Sequence, residues 1–501
     1  MLEAPQKLKV SVLQSKHDDY DAGRDSDLWA LYEGGRSVVA RQFLIPRRKE
    51  PKEIYEERCK RFFYIGYIGE IIDSFASQLF MSPPTLAIGD ERTVLPEFWD
   101  GWTKNVDHVK TGLAWFLRDR LLHALVQRSA YTWVDLPPSP VEGQISIAKA
   151  EELGLRSPYL VPIDASELMD FARSDSGEFE WVTLQQFRDY RANPFGEKRV
   201  RRYFWTTLDR ESIAKYLLEV ELSYDSSAKS WRADDKAING KEADLQGAVS
   251  RHKFGRVPLC PLALPSGLWV GGKLESVQRQ IMELDNALAW QQLMSLFAMP
   301  VIKSDKKFEQ MMGEAYYIQL EIGSEFGYAE PSGNAFDATL KHREALKQEL
   351  FRIAHQMAQS VGSDASTAGR SGESKKRDQN PLLVVLDALA GRMRDHVADV
   401  ASLIQAVRDE ELDLAIGGMD EFDLEDDSKF LADAAVSQSI TIPSPTAKRE
   451  IAKRAVRSLV PKVTPATLAK IDDEIDKAPD DAFATFDPML GGPPGADDED
   501  K

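Results

Sequence analysis

Three apolar stripes at helical spacing lie between Gly272 and Val407, and the two stretches that interrupt them constrain the fold of this chain more than any other feature. Leu274, Val277, Ile281, Leu284 and Leu288 recur three and four residues apart, which places them on one face of a 3.6-residue helix; Trp290, Met294 and Phe297 widen the stripe. Pro300 stops it, because proline has no N–H for the helical ladder and biases its predecessor away from the helical region. The second stripe runs Leu346, Leu350, Ile353, Met357 and Val361, and Gly362 offers a stop. The third is expected to open after Asn380-Pro381, with Pro381 near its first turn, and to run Leu386, Leu389, Met393, Val397, Val400, Ile404 and Val407. Between the second and third, Ser363 to Asn380 holds Gly369 and Gly372 and no large apolar side chain. Such a segment has nothing to bury and belongs at a wet surface.

The composition is that of a globular chain, 43% hydrophobic and 29% charged over 501 residues. Cys59 and Cys260 are too few and too far apart for a disulfide framework, so a reducing compartment is expected. No apolar signal core or run of about 18 uncharged apolar residues is present, and the expectation is a soluble, unsecreted protein. The formal net charge of -18 argues against a surface that grips nucleic acid throughout, since each neutralised phosphate needs a cation. DNA can still pass nearby without being held.

In chain order, Met1 to about Asp18 is short and polar, and Asp19 to Lys49 reads as loop-rich with anchors at Leu28, Trp29 and Leu31. Glu53 to Leu79 reads as one aromatic-rich helix ended by Pro83-Pro84; Gly66 and Gly69 inside it suggest close approach of another backbone. A helix over Gly112 to Ser129 leads into a strand from Ala130 to Leu136. From Tyr159 to Cys260 the texture becomes short strands, at Tyr159–Pro162, Glu178–Leu184, Val200–Leu208 and Leu217–Leu222, with an extended segment at His252 to Pro265. After the third stripe an acidic run spans Asp409 to Asp427, and short helices are expected at Ser428–Gln438, Pro445–Leu459 and Thr464–Asp476. The glycine-, proline- and acid-rich end is expected to be disordered.

Motifs for chemistry are few. Gly267 to Lys273 matches the phosphate-cradling GxxxxGK pattern, but Leu274 stands where a magnesium-holding Ser or Thr is needed, and Trp269 is bulky where backbone must wrap a phosphate. A flexible turn before a helix is the better reading. His17, His108, His123, His252, His342, His355 and His396 show no zinc spacing and read mostly as surface or helix-face residues. No nucleophile elbow or CxxC pair occurs, so no catalytic residue, cofactor or metal site is expected. Two basic clusters remain: Arg370, Lys375, Lys376 and Arg377 in the polar insert, and Lys448, Arg449, Lys453, Arg454 and Arg457 on a predicted helix. The helix cluster reads equally well as a solvated face. Cations in the insert, at the tip of a two-helix hairpin, are placed to reach a polyanion.

The order of these pieces resembles a tailed-bacteriophage portal protein, the subunit of the head-tail connector ring: an α+β region, HKFGRVPLCPL at 252–262, a helix, a short insert, a second helix, a polar loop with Ser371-Gly372-Glu373-Ser374, a long helix, then small helices with an IPSPT turn at Ile442–Thr446. The resemblance spans nearly the whole chain and rests on order and texture. It implies an α+β fold with an α+β wing over 1–270, a stem helix over 271–299, a small α/β clip over 300–335 and a stem or wing helix over 336–362. A tunnel loop at 363–380, a long channel-lining wing helix at 381–410, a helical crown at 411–479 and a disordered acidic tail at 480–501 would complete it.

The resemblance also implies roles. Arg370, Glu373, Lys375, Lys376 and Arg377 would face DNA from the tunnel loop. Lys303, Lys306, Lys307, Tyr316, Tyr317, Phe326 and Tyr328, with a strand at Tyr316–Ile322, would make the clip's partner surface. Lys448, Arg449, Lys453, Arg454 and Arg457 would form a basic crown face. The implied partners are further copies in a closed ring, usually a dodecamer, the terminase large subunit, a head-tail adaptor, major capsid and scaffolding proteins, and double-stranded DNA sliding through without sequence specificity; no membrane is involved. Residence in the virion at a capsid vertex, after assembly in the host cytoplasm, follows. A different class, a helical scaffold or minor capsid-associated protein that braces other subunits without a channel, fits the same helices. A nucleotide-driven packaging motor fits less well, lacking the Ser or Thr at 274.

Overall fold

The computed structural model describes residues 7–9, 14–35, 40, 42–88, 96–137, 146–191, 198–207, 212–213, 220–225, 230–233, 242–244, 250–251, 254–296, 299–303, 325–329, 333–354, 372–419, 444–459 and 465–478. The chain divides into two compact units, Met1–Phe422 and Asp423–Lys501.

The first unit opens with β1 (Lys7–Lys9) and α1 (Ala22–Glu33). That helix occupies Ala22–Glu33 within the stretch expected to be loop-rich over Asp19 to Lys49. Asp21 caps it by accepting a hydrogen bond from the Arg24 N–H at 3.0 Å, and Leu28, Ala30 and Leu31 bury its inner face. Its polar remainder hides the apolar stripe from a periodicity reading. The single helix expected over Glu53 to Leu79 is two, α2 (Lys52–Arg61) and α3 (Tyr67–Leu79), with Gly66 at the N-cap of the second. Gly69 meets the expectation of a close neighbour, for a Cβ there would stand 2.9 Å from the Tyr32 carbonyl oxygen. Then follow β2 (Thr85–Ile88), α4 (Glu97–Lys104), α5 (Leu113–Gln127), β3 (Ser129–Asp135), α6 (Ile147–Glu152) and β4 (Tyr159–Asp164).

The strand-rich part comprises β5 (Leu168–Arg173), β6 (Phe179–Arg191), β7 (Lys198–Thr207), β8 (Ser212–Ile213), β9 (Val220–Asp225), β10 (Ser230–Ala233), β11 (Glu242–Asp244), β12 (Ser250–Arg251) and β13 (Leu259–Ala263). Five of these form an antiparallel sheet in the order β10-β9-β7-β6-β5, and a second sheet has the order β13-β3-β4. In the second, Cys260 lies opposite Thr132 and Trp133 opposite Val161. The central strand β3 is buried from Ala130 to Asp135, so both faces of this sheet are covered.

Next come α7 (Val270–Leu296), β14 (Met299–Lys303), β15 (Glu325–Ala329), α8 (Gly333–Ile353), α9 (Gly372–Arg408) and β16 (Leu414–Gly417). The core gathers α3, α5, α7, α9 and the β13-β3-β4 sheet around Phe75, Leu121, Trp133, Leu274, Ile281, Leu389 and Met393. Antiparallel sheets segregated from a helical layer make this an α+β fold.

The second unit holds α10 (Pro445–Leu459) and α11 (Pro465–Lys477), which pack on each other. Both start on proline at the first turn, where the missing N–H costs nothing. The helix expected at Ser428–Gln438, the tail from 480 and the acidic interval beyond 420 lie outside the described residues.

Candidate channel and docking elements

The helices α7 and α8 pair along their length, and the chain between them carries the strand pair β14-β15 at their far end. Proline at 300 is compatible with this strand, and its partner in register is Tyr328; Lys303 stands opposite Glu325 and Ile302 opposite Phe326. Of the clip residues inferred from sequence, Lys303, Phe326 and Tyr328 therefore share one antiparallel ribbon. Lys306, Lys307, Tyr316 and Tyr317, with the strand expected at Tyr316–Ile322, lie outside the described residues.

Polar residues that no motif marked hold α7 in place. Arg343 on α8 bonds Asp285 on α7 through Nε at 2.8 Å and donates from Nη2 to the Tyr67 hydroxyl at 3.0 Å, so three elements meet at one buried ion pair. Gln278 on α7 is fully buried: its Oε1 accepts from the Ile68 N–H at 3.3 Å and its Nε2 donates to the Ile65 carbonyl at 2.8 Å. Asn286 does the same for the N–H and carbonyl of Phe63, at 3.3 and 3.1 Å. These two amides satisfy the backbone groups exposed where the α2–α3 helix breaks, which is why that break is tolerated next to the core.

The GxxxxGK stretch is a packing device. Val270 begins α7, so Gly271 and Gly272 sit in its first turn. A Cβ on Gly271 would lie 2.5 Å from the Val126 carbonyl oxygen, and one on Gly272 would lie 2.5 Å from the Trp269 ring. Trp269 donates from Nε1 to that same Val126 carbonyl at 3.0 Å, and Lys273 Nζ turns back to the Gly267 carbonyl. The glycines admit a neighbouring helix end, leaving no room for a phosphate.

The helix α9 corrects the expected boundary of the polar insert: it starts at Gly372, within the expected 363–380 loop, and runs 37 residues, about 55 Å at 1.5 Å each. Glu373, Lys375, Lys376 and Arg377 thus stand in its first turns, while Arg370 lies outside the described residues. Pro381 falls inside the helix and cannot supply the N–H that the Arg377 carbonyl would otherwise accept, a local weakness separating the cationic start from the apolar body.

Further along, α9 is fixed by polar contacts. His396 is 2% exposed, on the buried face of α9. Its Nδ1 lies 3.2 Å from the Pro261 carbonyl, which only accepts, so Nδ1 carries the proton and Nε2 accepts from the Thr132 hydroxyl at 2.9 Å. Burial lowers its pKa from 6.5 to about 4, keeping the ring neutral. Arg256 reaches Asp399 at 2.7 Å. At the C-terminal end Arg408 lies over the Phe98 ring at 3.6 Å and pairs with Glu410 at 2.8 Å, while Trp99 Nε1 donates to Glu410 at 3.0 Å.

In the second unit the expected basic face is only partly a face. Lys453 is buried to 8% exposure between the helices and pairs with Asp476 at 2.6 Å and Glu450 at 3.1 Å. Arg449 is half-buried and donates to the Ala478 carbonyl just past the end of α11 at 3.3 Å. Helix periodicity puts both on the side that meets α11, where acids and terminal carbonyls attract them. Lys448 is half-buried; Arg454 and Arg457 are placed on α10 by the backbone.

Among the described residues no group of three or more His, Cys, Asp or Glu side chains could hold a metal ion, and no helix is long and apolar enough to cross a membrane.

No protein-family description and no curated protein matches this chain. Solved structures similar to it include a chain from the neck of an empty GTA particle computed with C6 symmetry, at 11% identity and a TM-score of 0.40, covering 83% of this chain and 98% of that one. A chain from the virion of a native gene transfer agent particle is 11% identical with a TM-score of 0.38, covering 86% and 99%. A chain from the neck of a native GTA particle computed with C12 symmetry is 10% identical with a TM-score of 0.35, covering 92% and 97%. Overlap this loose carries no functional argument, and function is read from the residues of this chain.

Proposed function

We propose that this chain is the ring-forming portal subunit of a tailed bacteriophage, acting at one capsid vertex as the channel for genome packaging and ejection. The observation that carries this reading is the run from α7 to α9: a closely paired helical stem, an antiparallel ribbon inserted at its far end, and a long helix with a cationic first turn and an apolar body. The ribbon with Lys303, Phe326 and Tyr328 is the docking surface for the terminase motor and then the head-tail adaptor. Arg370, Glu373, Lys375, Lys376 and Arg377 face the passing duplex. A conduit must let DNA slide, and because phosphate contacts add affinity cumulatively, few cations in a chain of net charge -18 suit it better than a wall of lysines. Head-to-tail copies close the ring.

Negative-stain electron microscopy of the purified chain tests the reading. Closed rings with a central hole are expected; persistent monomers that assemble only as braces on capsid components would favour the non-channel scaffold. With rings in hand, alanine at Arg370, Lys375, Lys376 and Arg377 is expected to change DNA translocation or retention and leave ring formation intact. Loss of rings in those variants would overturn the DNA-facing assignment.

A further inference from the structure

The strap from Ser15 to Asp21 lies along β5, the last strand of the five-stranded sheet, on the side away from β6. The His17 N–H donates to the Met169 carbonyl at 2.8 Å, and the His17 ring stacks on Phe171 at 4.0 Å. Ser15 Oγ bonds Asp170, and the Tyr20 hydroxyl donates to the Ser166 carbonyl at 3.1 Å. An uncovered strand edge is a template for other chains, and the strap closes this one. The strap leads into α1, whose first turn packs on α5 and on the turn after β4. Beyond that turn Asp27 pairs with Arg279 of α7 at 3.0 Å, which anchors the rest of the helix.

Three carboxylates converge at this first turn. Asp21 caps α1, accepting from the Arg24 N–H at 3.0 Å, and the half-buried Asp25 stands one helical turn later on the same face. Asp164 ends β4, where Arg120 Nη1 and His123 Nδ1 of α5 approach its Oδ1 at 3.1 and 3.0 Å; His123 also stacks on Trp29 of α1 at 4.3 Å. Arg120 is further engaged by Asp119 at 2.6 Å. Arg24 turns to Glu275 of α7 at 3.4 Å and lies over the Trp269 ring at 4.6 Å. Tyr131 of β3, Glu167 after β4, and Asp19 of the strap, which pairs with His17 at 3.5 Å, add no free cation. Gln127 of α5 completes the set: it is 8% exposed, its Nε2 lies 3.4 Å from the Asp25 carbonyl oxygen, and its Oε1 is buried with no donor among the described residues. A neutral carboxyl has an O–H to give such an acceptor, and a carboxylate has none. We infer that Asp25 is seated as the neutral acid, donates to Gln127 Oε1 and so latches the strap over β5, and that loss of this proton to solvent frees the strap and bares the sheet edge. The latch does not depend on the ring reading.

Burial first, then the charge of Asp21, raises the Asp25 carboxyl from 3.8; Arg24 opposes this, Asp164 adds to it, and the result is about 7. The contribution of the proton is therefore complete below 3.8 and is lost as pH rises through 7, so opening should grow up to about tenfold per pH unit between these values and level off above. Because only the strap is released, the cost of ionisation to unfolding of the whole unit is capped at the cost of opening it. Hydrogen exchange of the full chain, corrected for the intrinsic rate, reads the latch at the His17 N–H, with amides of β3 verifying the fold. In the wild type, protection there should fall at least about tenfold between pH 5 and pH 7. Asp25→Asn, which keeps a neutral donor, should stay protected at both values; Gln127→Met, which removes the acceptor, should exchange fast at both. A pH dependence arising from the His17 ring would survive in Asp25→Asn, so a wild-type profile in that variant would overturn the latch. A flat wild-type profile, or Gln127→Met as protected at pH 5 as the wild type, would do so too. Should Asp25→Asn fail to fold, the Gln127→Met result decides alone.

Discussion

The two paired-helix regions, α7 with α8 and α10 with α11, are built from the same parts and secured unequally. Each joins two helices, and each is fastened by an ion pair: Asp285 to Arg343 at 2.8 Å in the first, Lys453 to Asp476 at 2.6 Å in the second. Around the first lie Leu274, Ile281, Met282 and Leu350, all buried, with Tyr67 and Gln278 adding bonds to a third helix. In the second, the described side chains that are buried are Lys453 and Asp472, and the isoleucines 451, 471 and 475 are only half-buried. Among its described side chains the second pair encloses little apolar surface, and burial is the main favourable term in holding helices together. Similar geometry at an ion pair therefore says little about stability until the surrounding core is counted.

This contrast can be broken by substitution. Leu350→Ala should produce the largest effect, about 3–4 kcal/mol in urea unfolding of the first unit, because it empties a site with no exposure. A cost near that of a surface change would mean the stem is not part of the core. Asp285→Ala comes next at about 3 kcal/mol, since it strands the mostly buried Arg343 guanidinium. Lys453→Ala should cost about 1 kcal/mol or less, its partner Asp476 being 53% exposed, and hydrogen exchange should locate the loss in α10 and α11 alone. Equal costs at Asp285 and Lys453 would erase the distinction drawn here.

Acid sharpens the same comparison. His396 has a folded pKa of about 4, below its ordinary 6.5, so the stability it contributes is present above pH 6.5 and is lost as pH falls through 4. The full loss approaches about 3 kcal/mol, from roughly 1.4 kcal/mol per unit of depression. Stability measured from pH 7 to 4 should fall in the wild type, and His396→Gln should flatten that component while starting from a lower neutral value. An unchanged pH profile in the variant would show that the ring is not held neutral.

Legibility in the sequence followed periodicity. The strand and helix around Leu113 to Asp135, the α7 stripe and the bounds of α10 at Pro445 and Leu459 were readable, because proline, glycine and apolar spacing act locally. The hairpin was readable as a break at Pro300, though not as a pairing. The start of α9 is not legible, because Gly372 to Asn380 has no apolar stripe and Pro381 signals a first turn, whereas the helix continues through it. The α2–α3 break is not legible either, since its aromatics suit a helix equally well.

The candidate site divides the same way. The cations of the polar insert and of α10 stand out as charge in an apolar-poor stretch, but whether a lysine faces solvent or a partner helix is not a local property. Residue types and spacing determined the α5 and α7 stripes, the bounds of α10, the α+β class and the placement of charge along the chain, because these depend on neighbours three or four positions away. Only tertiary structure decided that Lys453 is buried, that Gln278 and Asn286 satisfy a broken helix, that His396 is neutral and that Gly271 admits a carbonyl. Each of those depends on atoms more than twenty residues distant, brought within bonding range by burial of the core.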